Sequence, residues 1–335
     1  MRPTGRLHLG HLVGALRNWA RLQDQYDCFY FVADWHALTS EYADTAGITA
    51  NAYDNAADWI ASGLDPERST LFVQSLVPEH AELFLLLSMV VPIPWLERVP
   101  TYKEQREQLI EKDLSTIGFL GYPLLQTADV AIYDARFVPV GEDQVPHLEL
   151  SREVVRRFNN FYGEKVGVRD GETIVKEVLT EPQPLLTNFA RLPGLDNRKM
   201  SKSYGNAIEL SDDAETVQRK VMSMYTDPKR VRADIPGTVE GNPVFTYHDA
   251  FNGNVAEVED LKARYRQGKV GDVEVKRKLA SALNNVLEPM RQRRAEVLRS
   301  PERIREILFE GSARARRIAQ ETMGRVREAV KVSYR

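Results

Sequence analysis

The chain has 335 residues, a net charge of −3 and a hydrophobic content of 43%. This length allows two domains with a sizeable core, and the composition is that of a globular protein rather than a disordered or fibrous one. The only cysteine, Cys28, excludes an internal disulfide and any site built from four cysteines. No apolar stretch is long enough to span a bilayer and no secretory signal opens the chain, so we expect a cytoplasmic protein without membrane contact.

The first half of the chain alternates between patterns typical of helices and of strands. In chain order they predict a helix over 9–22, a strand over 27–33, a helix over 46–62, a strand over 69–74, a helix over 79–91, a strand over 137–140 and a helix over 145–158. An alternation of this kind predicts an α/β fold with a Rossmann-like, doubly wound parallel sheet. Because the pattern becomes mostly helical between 212 and 330, we expect a second, all-helical domain.

The domain boundaries follow from that change of pattern. We predict a Rossmann-like domain over 1–205 and a helical domain over 206–335, whose C-terminal helix could pack back on the first domain. Residues 291–335 carry 13 Lys and Arg against 6 Asp and Glu. A basic end on an acidic protein suits contact with a polyanion such as RNA, and an ordinary solvated helix face is the alternative.

Two short motifs about 190 residues apart carry the strongest chemical signal. His8-Leu9-Gly10-His11 places two imidazoles and a glycine where the first helix begins, and backbone N–H groups at a helix start face a bound anion. Lys199-Met200-Ser201-Lys202-Ser203 places two ammonium groups in a loop that can close over pyrophosphate. Together the motifs predict an ATP site in which developing charge is stabilised by four side chains, those of His8, His11, Lys199 and Lys202.

A polar stripe on an apolar helix marks a candidate substrate pocket. Tyr122, Gln126, Asp129 and Tyr133 recur at helical spacing and therefore share one helical face. A buried carboxylate such as that of Asp129 needs a donor, which an indole N–H or a phenol O–H would supply. A structural network between this helix and its neighbours explains the stripe equally well.

Other nucleotide-binding signatures are missing from the sequence. No Gly-x-x-x-x-Gly-Lys-Ser/Thr loop occurs, and no Gly-x-Gly-x-x-Gly opens a βα unit. This argues against a P-loop ATPase and against a dinucleotide-dependent dehydrogenase. We expect no metal site built by the protein itself, and Mg²⁺ would arrive with ATP.

The two motifs, in this order, resemble the HIGH and KMSKS signatures of class I aminoacyl-tRNA synthetases. Further segments resemble bacterial tryptophanyl-tRNA synthetases, namely 32–39, 122–133, 138–144 and 147–159. The resemblance implies a ligase that activates L-tryptophan with ATP to tryptophanyl-adenylate and pyrophosphate, and then transfers tryptophan to tRNA(Trp). It also implies a homodimer whose helical domain binds the anticodon.

The same resemblance implies roles for individual residues. Asp129 would accept the indole N–H, and the rest of the tryptophan pocket would be formed by His36, Tyr122, Gln126 and Gln144. The ATP-binding residues would be Thr4, Gly10, His11, Asp143, Lys199, Met200, Ser201 and Lys202.

Two other interpretations stay open. Tyrosyl-tRNA synthetases share the architecture and also use a Gln-x-x-Asp helix, although the Val-Gly-Glu-Asp-Gln run that ends at Gln144 favours tryptophan. The other is a catalytically weak paralogue that binds nucleic acid or a protein partner. It is suggested by the family's strand before the histidine motif, where this chain has only Met1 and Arg2 before Pro3.

Overall fold

The computed structural model describes residues 1–100, 102–104, 113–169, 172–186, 192–200, 204–228 and 230–334. Its helices are α1 (in three parts, Leu9–His11, Leu12–Leu16 and Arg17–Leu22), α2 (Asp34–Glu41), α3 (Ile48–Ala61), α4 (Glu79–Ser88), α5 (Ile93–Glu97), α6 (Ile117–Ala131), α7 (Val145–Tyr162), α8 (Ala214–Met222), α9 (Pro243–Phe251), α10 (Val255–Arg266), α11 (Asp272–Leu298) and α12 (Pro301–Ala329). Its strands are β1 (Cys28–Val32), β2 (Ser69–Val73), β3 (Phe137–Val140), β4 (Glu164–Arg169), β5 (Glu172–Lys176) and β6 (Gln183–Leu186). Within these ranges, no helix is long and apolar enough to cross a membrane.

The predicted elements of the first half lie close to where the sequence pattern places them. Helices α1, α3, α4 and α7 and strands β1, β2 and β3 end within four residues of the predicted bounds. The pattern missed α2, α5, β6 and the hairpin formed by β4 and β5. The hairpin gives no apolar run because charged residues such as Glu164, Lys165 and Lys176 interrupt it. The middle part of α1, Leu12–Leu16, is π-helical, which propensity does not predict.

The described strands form three two-stranded sheets. Strands β1 and β2 run parallel, with Cys28 opposite Ser69 and Val32 opposite Val73. Strands β3 and β6 also run parallel, whereas β4 and β5 are antiparallel. Because the carboxyl ends of parallel strands lie at one edge, the residues that follow Val32 and Val73 come together there.

Two hydrophobic clusters join the helical region to the Rossmann-like region. The first connects α1, β1 and α3 to α11, and fully buries Leu9, Trp59 and Leu283. The second connects α4, α6 and α7 to the C-terminal helix α12, and fully buries Phe158 and Met323. Burial of an apolar side chain of this size stabilises a fold by about 1.5–3 kcal/mol. The two regions therefore share a core rather than meeting only at their surfaces.

Helix α12 covers the edge of β2 that β1 does not occupy. The Val73 N–H donates to Ser312 Oγ at 3.2 Å, so the helix satisfies a backbone donor of the strand. At Gly311, an added Cβ would lie 1.8 Å from the carbonyl oxygen of Leu71. Only glycine permits this approach of helix to strand.

The basic C-terminal region bonds extensively to the acidic residues before it. Its ion pairs are Arg294 with Asp54 and Asp58, Arg316 with Glu79, Arg325 with Asp134, and Arg327 with Glu82. Arg291, Arg293 and Arg314 donate to backbone carbonyl oxygens of Asp212, Ala61 and Pro66. Much of the positive charge that suggested RNA contact therefore serves to hold α11 and α12 against the rest of the protein.

Candidate active site

The histidine motif forms the start of α1. His8 is the N-cap residue, and its Nδ1 accepts the Gly10 N–H at 3.1 Å. Nδ1 of His11 accepts the His8 N–H at 3.1 Å, and the two ring centroids are 3.9 Å apart. Because each Nδ1 accepts a backbone N–H, the ring proton resides on Nε2. Both imidazoles can therefore present an N–H donor to an anionic ligand.

The described part of the lysine motif, Lys199 and Met200, lies near this helix start. The backbone of 208–210 pairs with that of Leu7 and Leu9 through two hydrogen bonds of 2.9 and 3.0 Å. Met200 reaches Gly10 so closely that an added Cβ there would lie 3.1 Å from the methionine sulfur. The fold thus brings together two motifs that are about 190 residues apart in the sequence.

The base of the lysine loop is fixed by side-chain hydrogen bonds. Nδ2 of Asn206 donates to the Lys199 carbonyl oxygen at 3.1 Å and to Asp196 Oδ1 at 2.8 Å. The Asn206 hydrogen bond lowers the pKa of Asp196 to about 2, which keeps this acceptor ionised. The Lys199 side chain is exposed, while Ser201 and Lys202 lie outside the described residues.

A cavity of about 240 Å³ opens beside the histidine motif. It is lined by Thr4, Gly5, Arg6, His8, Gly205, Ala207, Glu209 and Lys220. Two of the predicted ATP-binding and catalytic residues, Thr4 and His8, thus share one cavity. The cavity brings donors of Thr4 and His8 together, while its two cations are paired, Arg6 with Glu209 at 3.2 Å and Lys220 with Asp212 at 2.7 Å.

Asp129 is the centre of a buried hydrogen-bond network. Its Oδ2 lies 2.7 Å from Nε2 of His36, and its Oδ1 accepts from Nε2 of Gln74 and Nδ1 of His80, each at 2.7 Å. Burial raises the pKa of Asp129, but the charges and hydrogen bonds of His36 and His80 outweigh burial and hold that pKa well below its ordinary value. Asp129 is therefore an ionised carboxylate in a site that is closed to bulk water.

Asp34 links the carboxyl ends of β1 and β2, from which His36 and Gln74 reach the Asp129 network. Helix α2 begins directly after β1, and a 3-10 turn, Gln74–Leu76, directly follows β2. Asp34 accepts hydrogen bonds from the Ser75 N–H, at 3.1 Å, and from the Ser75 hydroxyl. Oε1 of Gln74 accepts the backbone N–H of His36 at 3.4 Å. His36 and Gln74 therefore converge on α6 at the sheet edge where open α/β folds bind ligands.

The other residues predicted for the amino acid pocket surround this centre less directly. Tyr122 is buried, and its ring centroid lies 5.6 Å from that of His147. Gln126 is half-buried on the same helix, and Gln144, also half-buried, is the N-cap residue of α7. The backbone of Asp143 forms part of a short 3-10 turn, but its side chain lies outside the described part of the structure.

Two residues of the network escaped the sequence analysis. Gln74 follows a buried strand, and His80 lies in the first turn of α4, and both side chains are fully buried. Polar side chains are uncommon in the buried interior. The one signal in the sequence was therefore that these two polar residues stand beside apolar stretches. Neither belongs to a motif, so only the fold reveals that they meet at Asp129.

Comparison with known proteins relates the whole chain to one family. The family described as tRNA synthetases class I (W and Y) matches residues 1–288. The tryptophan–tRNA ligase of Treponema pallidum is 49% identical over 337 residues, which cover 100% of this chain and 96% of that relative. The tryptophan–tRNA ligase of Ralstonia nicotianae is 44% identical over 391 residues, with 100% and 98% covered. The chain belongs to this family.

The synthetase also shares the fold of solved family members. The tryptophanyl-tRNA synthetase of Campylobacter jejuni, solved with ADP and tryptophan, matches with a TM-score of 0.84 and 31% identity over 99% of this chain and 98% of that one. The tyrosyl-tRNA synthetase of Archaeoglobus fulgidus matches with a TM-score of 0.64 at 24% identity, which shows the shared fold. The predicted Rossmann-like α/β fold and the predicted aminoacyl-tRNA synthetase activity are confirmed, and the names of the relatives agree with the prediction of a tryptophan–tRNA ligase.

Proposed function

We propose that this synthetase activates L-tryptophan with ATP and then transfers it to tRNA(Trp). The observation that carries the proposal is the ionised, buried carboxylate of Asp129 at the ligand-binding edge of the sheet. Full-length similarity to tryptophan–tRNA ligases at 44% and 49% identity supports the same substrate.

Asp129 would select the amino acid through its indole N–H. An ionised carboxylate only accepts hydrogen bonds, and it offers about four acceptor positions. His36, Gln74 and His80 fill three of them among the described residues. An indole N–H would fill the fourth, whereas phenylalanine would leave it desolvated and empty. A mismatch of this kind can reject the wrong amino acid by about 10⁴-fold or more.

The two motifs would serve the activation step. The tryptophan carboxylate would attack the α-phosphate of MgATP in line, and magnesium pyrophosphate would leave. Positioning and charge neutralisation dominate such a reaction, because no covalent group of the enzyme takes part. The Nε2 donors of His8 and His11 and the ammonium groups of Lys199 and Lys202 would stabilise the charge that develops on the phosphates. The backbone N–H groups at the start of α1 bond to other protein atoms instead, that of Gly10 to His8 Nδ1 and that of Leu9 to the Ile208 carbonyl oxygen. Met200, which contacts Gly10, would pack near the adenine.

The remaining partners are part of the same proposal. The helices after residue 206 would bind the anticodon, since specific RNA recognition targets unpaired bases. A second copy of the chain would cover an exposed apolar face formed by Leu85, Met89, Ile93 and Ile117, which are 53%, 68%, 59% and 86% exposed. A large exposed apolar face on a protein surface marks an interaction site. The cytoplasmic location remains a prediction from the sequence.

Amino acid-dependent exchange of pyrophosphate into ATP tests the proposal. The wild-type protein should exchange with tryptophan and only weakly with tyrosine or phenylalanine. Asp129→Ala should lower kcat/KM for tryptophan by about 10²-fold or more, because three buried donors and the indole N–H lose their acceptor. Asp134→Ala, which removes a carboxylate that pairs with Arg325 just beyond the end of α6, is the matched control and should keep the wild-type exchange.

The outcomes separate the three interpretations. Preferential exchange with tyrosine would identify a tyrosyl-tRNA synthetase. No exchange with any amino acid would favour the catalytically weak paralogue. Near-normal tryptophan-dependent exchange by Asp129→Ala would show that Asp129 does not bind the amino acid.

A further inference from the structure

We infer that Gln74, His80 and Tyr133 are positioning residues that act through Asp129 and thereby set the selectivity of the enzyme for an indole N–H. The inference rests on the proposed tryptophan-activating function and assigns its selectivity to residues that make no direct contact with the amino acid in that proposal. It follows from how the two oxygens of the Asp129 carboxylate are occupied.

The Oδ1 atom of Asp129 is saturated from the buried side. It accepts from both Gln74 and His80 at 2.7 Å, and both of these side chains are 0% exposed. The Oδ2 atom has one partner among the described residues, His36, whose side chain is 12% exposed. The open acceptor position therefore lies on Oδ2, at the more accessible end of the network.

Each donor on Oδ1 is itself held in one orientation. The Gln74 amide is fixed because its Oε1 faces the His36 backbone N–H as an acceptor, which leaves Nε2 to donate to Asp129. Nε2 of His80 lies 2.6 Å from the Tyr133 hydroxyl, and the Tyr133 ring stacks on Phe29 of β1 with centroids 5.1 Å apart.

The contact with Tyr133 determines which histidine nitrogen faces Asp129. An ionised carboxylate only accepts, so Nδ1 of His80 carries the proton of that contact. The Tyr133 hydroxyl holds the other nitrogen and so fixes the ring plane in which Nδ1 faces Asp129. Burial raises the pKa of Tyr133, so the phenol keeps its proton throughout the working pH range.

Loss of these donors should change the selectivity of the enzyme, which loss of a purely stabilising residue would not do. Without the two donors on Oδ1, the carboxylate can rotate or take up a proton, and its Oδ2 no longer presents a fixed acceptor to the ligand. The enzyme should then lose its preference for a side chain that donates a hydrogen bond over one of the same shape that does not. A residue that only stabilises the fold would affect both ligands equally.

The test compares tryptophan with β-(3-benzothienyl)alanine, in which sulfur replaces the indole N–H. The selectivity is the ratio of kcat/KM for the two amino acids in pyrophosphate exchange. His80→Leu, which removes the donor, should lower this ratio about tenfold or more, and Tyr133→Phe should lower it about threefold. His80→Asn, whose amide can still donate to Asp129, should retain more of the ratio than His80→Leu does. KM for ATP should stay unchanged in all three variants.

Tyr30→Phe is the matched control. Tyr30 is a buried tyrosine of β1 outside the Asp129 network, and its hydroxyl donates to the Trp19 carbonyl oxygen. The substitution should leave the ratio unchanged. The inference is overturned if His80→Leu lowers kcat/KM for both amino acids equally, or if the wild-type ratio is already near one. If His80→Leu does not fold, Tyr133→Phe and Gln74→Met decide the question by the same ratio. Failure of the wild-type enzyme to use tryptophan at all would instead refute the proposed function.

Discussion

Replacing Asp58 by asparagine should stabilise the protein increasingly as the pH rises. Asp58 lies on α3, is 1% exposed, and accepts a hydrogen bond of 2.7 Å from Nε of Arg294 on α11. Its other oxygen, Oδ2, is buried without a hydrogen-bond partner among the described residues. The pair thus joins the helical region to the Rossmann-like region through a carboxylate that is only half satisfied.

Burial raises the pKa of Asp58 from its ordinary value of 3.8 to about 6. The charge and hydrogen bond of Arg294 oppose this increase, as does the charge of Arg6, while the nearby Asp54 adds to it. The folded protein therefore binds this proton more tightly than the unfolded chain does. The stability that this proton contributes is fully present below pH 3.8 and is lost as the pH rises through 6.

A pKa difference of this size corresponds to on the order of 3 kcal/mol when the group is fully ionised in both states. Asparagine resembles the protonated form and does not ionise. The free energy of unfolding of Asp58→Asn, relative to wild type, should therefore increase by about 2 kcal/mol between pH 4.5 and pH 7.

Urea unfolding of both proteins across this pH range measures the difference. A difference between Asp58→Asn and wild type that stays constant with pH, or that decreases as the pH rises, would refute the assigned proton affinity.

Three further predictions concern the C-terminal helix, the lysine loop and the apolar face. In urea unfolding, Gly311→Ala should lower the free energy of unfolding by about 1–3 kcal/mol, since the added Cβ meets the backbone of β2. Gly324→Ala is the control in the same helix: its Cβ enters open space, so the substitution should be neutral or stabilising. Lys202→Ala should lower the rate of adenylate formation about 10²-fold with a smaller change in ATP affinity, and single-turnover kinetics that show the reverse would contradict a role in the transition state. Sedimentation should show a dimer at micromolar concentration and a monomer for Met89→Asp, and a monomeric wild-type protein would rule out the proposed interface.

The sequence predicted those parts of the structure that leave a local signal. Strand β1 is a continuous apolar run and β2 ends in one, because both strands are largely buried, and the helices next to them have one apolar face. Gln74 and His80 could not be predicted as partners of Asp129, because they belong to different elements. Only the packing of α4 and of the end of β2 against α6 brings them to it. Their order along the chain contains no information about that convergence.

Charge illustrates the same limit in a different way. The excess of Arg near the end of the chain is visible in the sequence, but its partners are not. From the sequence, Arg316 and Arg327 could equally face solvent or RNA. The structure shows that they pair with Glu79 and Glu82. Composition predicts the sign of a surface charge, whereas only tertiary structure shows how much of it has been neutralised internally.

The packing of α12 on β2 also has a consequence for the order of events during synthesis. The backbone of Leu71 and Val73 meets Gly311 and Ser312, which the ribosome adds about 240 residues later. A nascent chain that carries all the residues of the first half therefore still lacks the cover for one edge of β2. Contacts this distant in sequence form slowly, and exposed strand edges favour association with other chains. Completion of the Rossmann-like region therefore requires residues of α12, and one edge of β2 stays uncovered until they are in place.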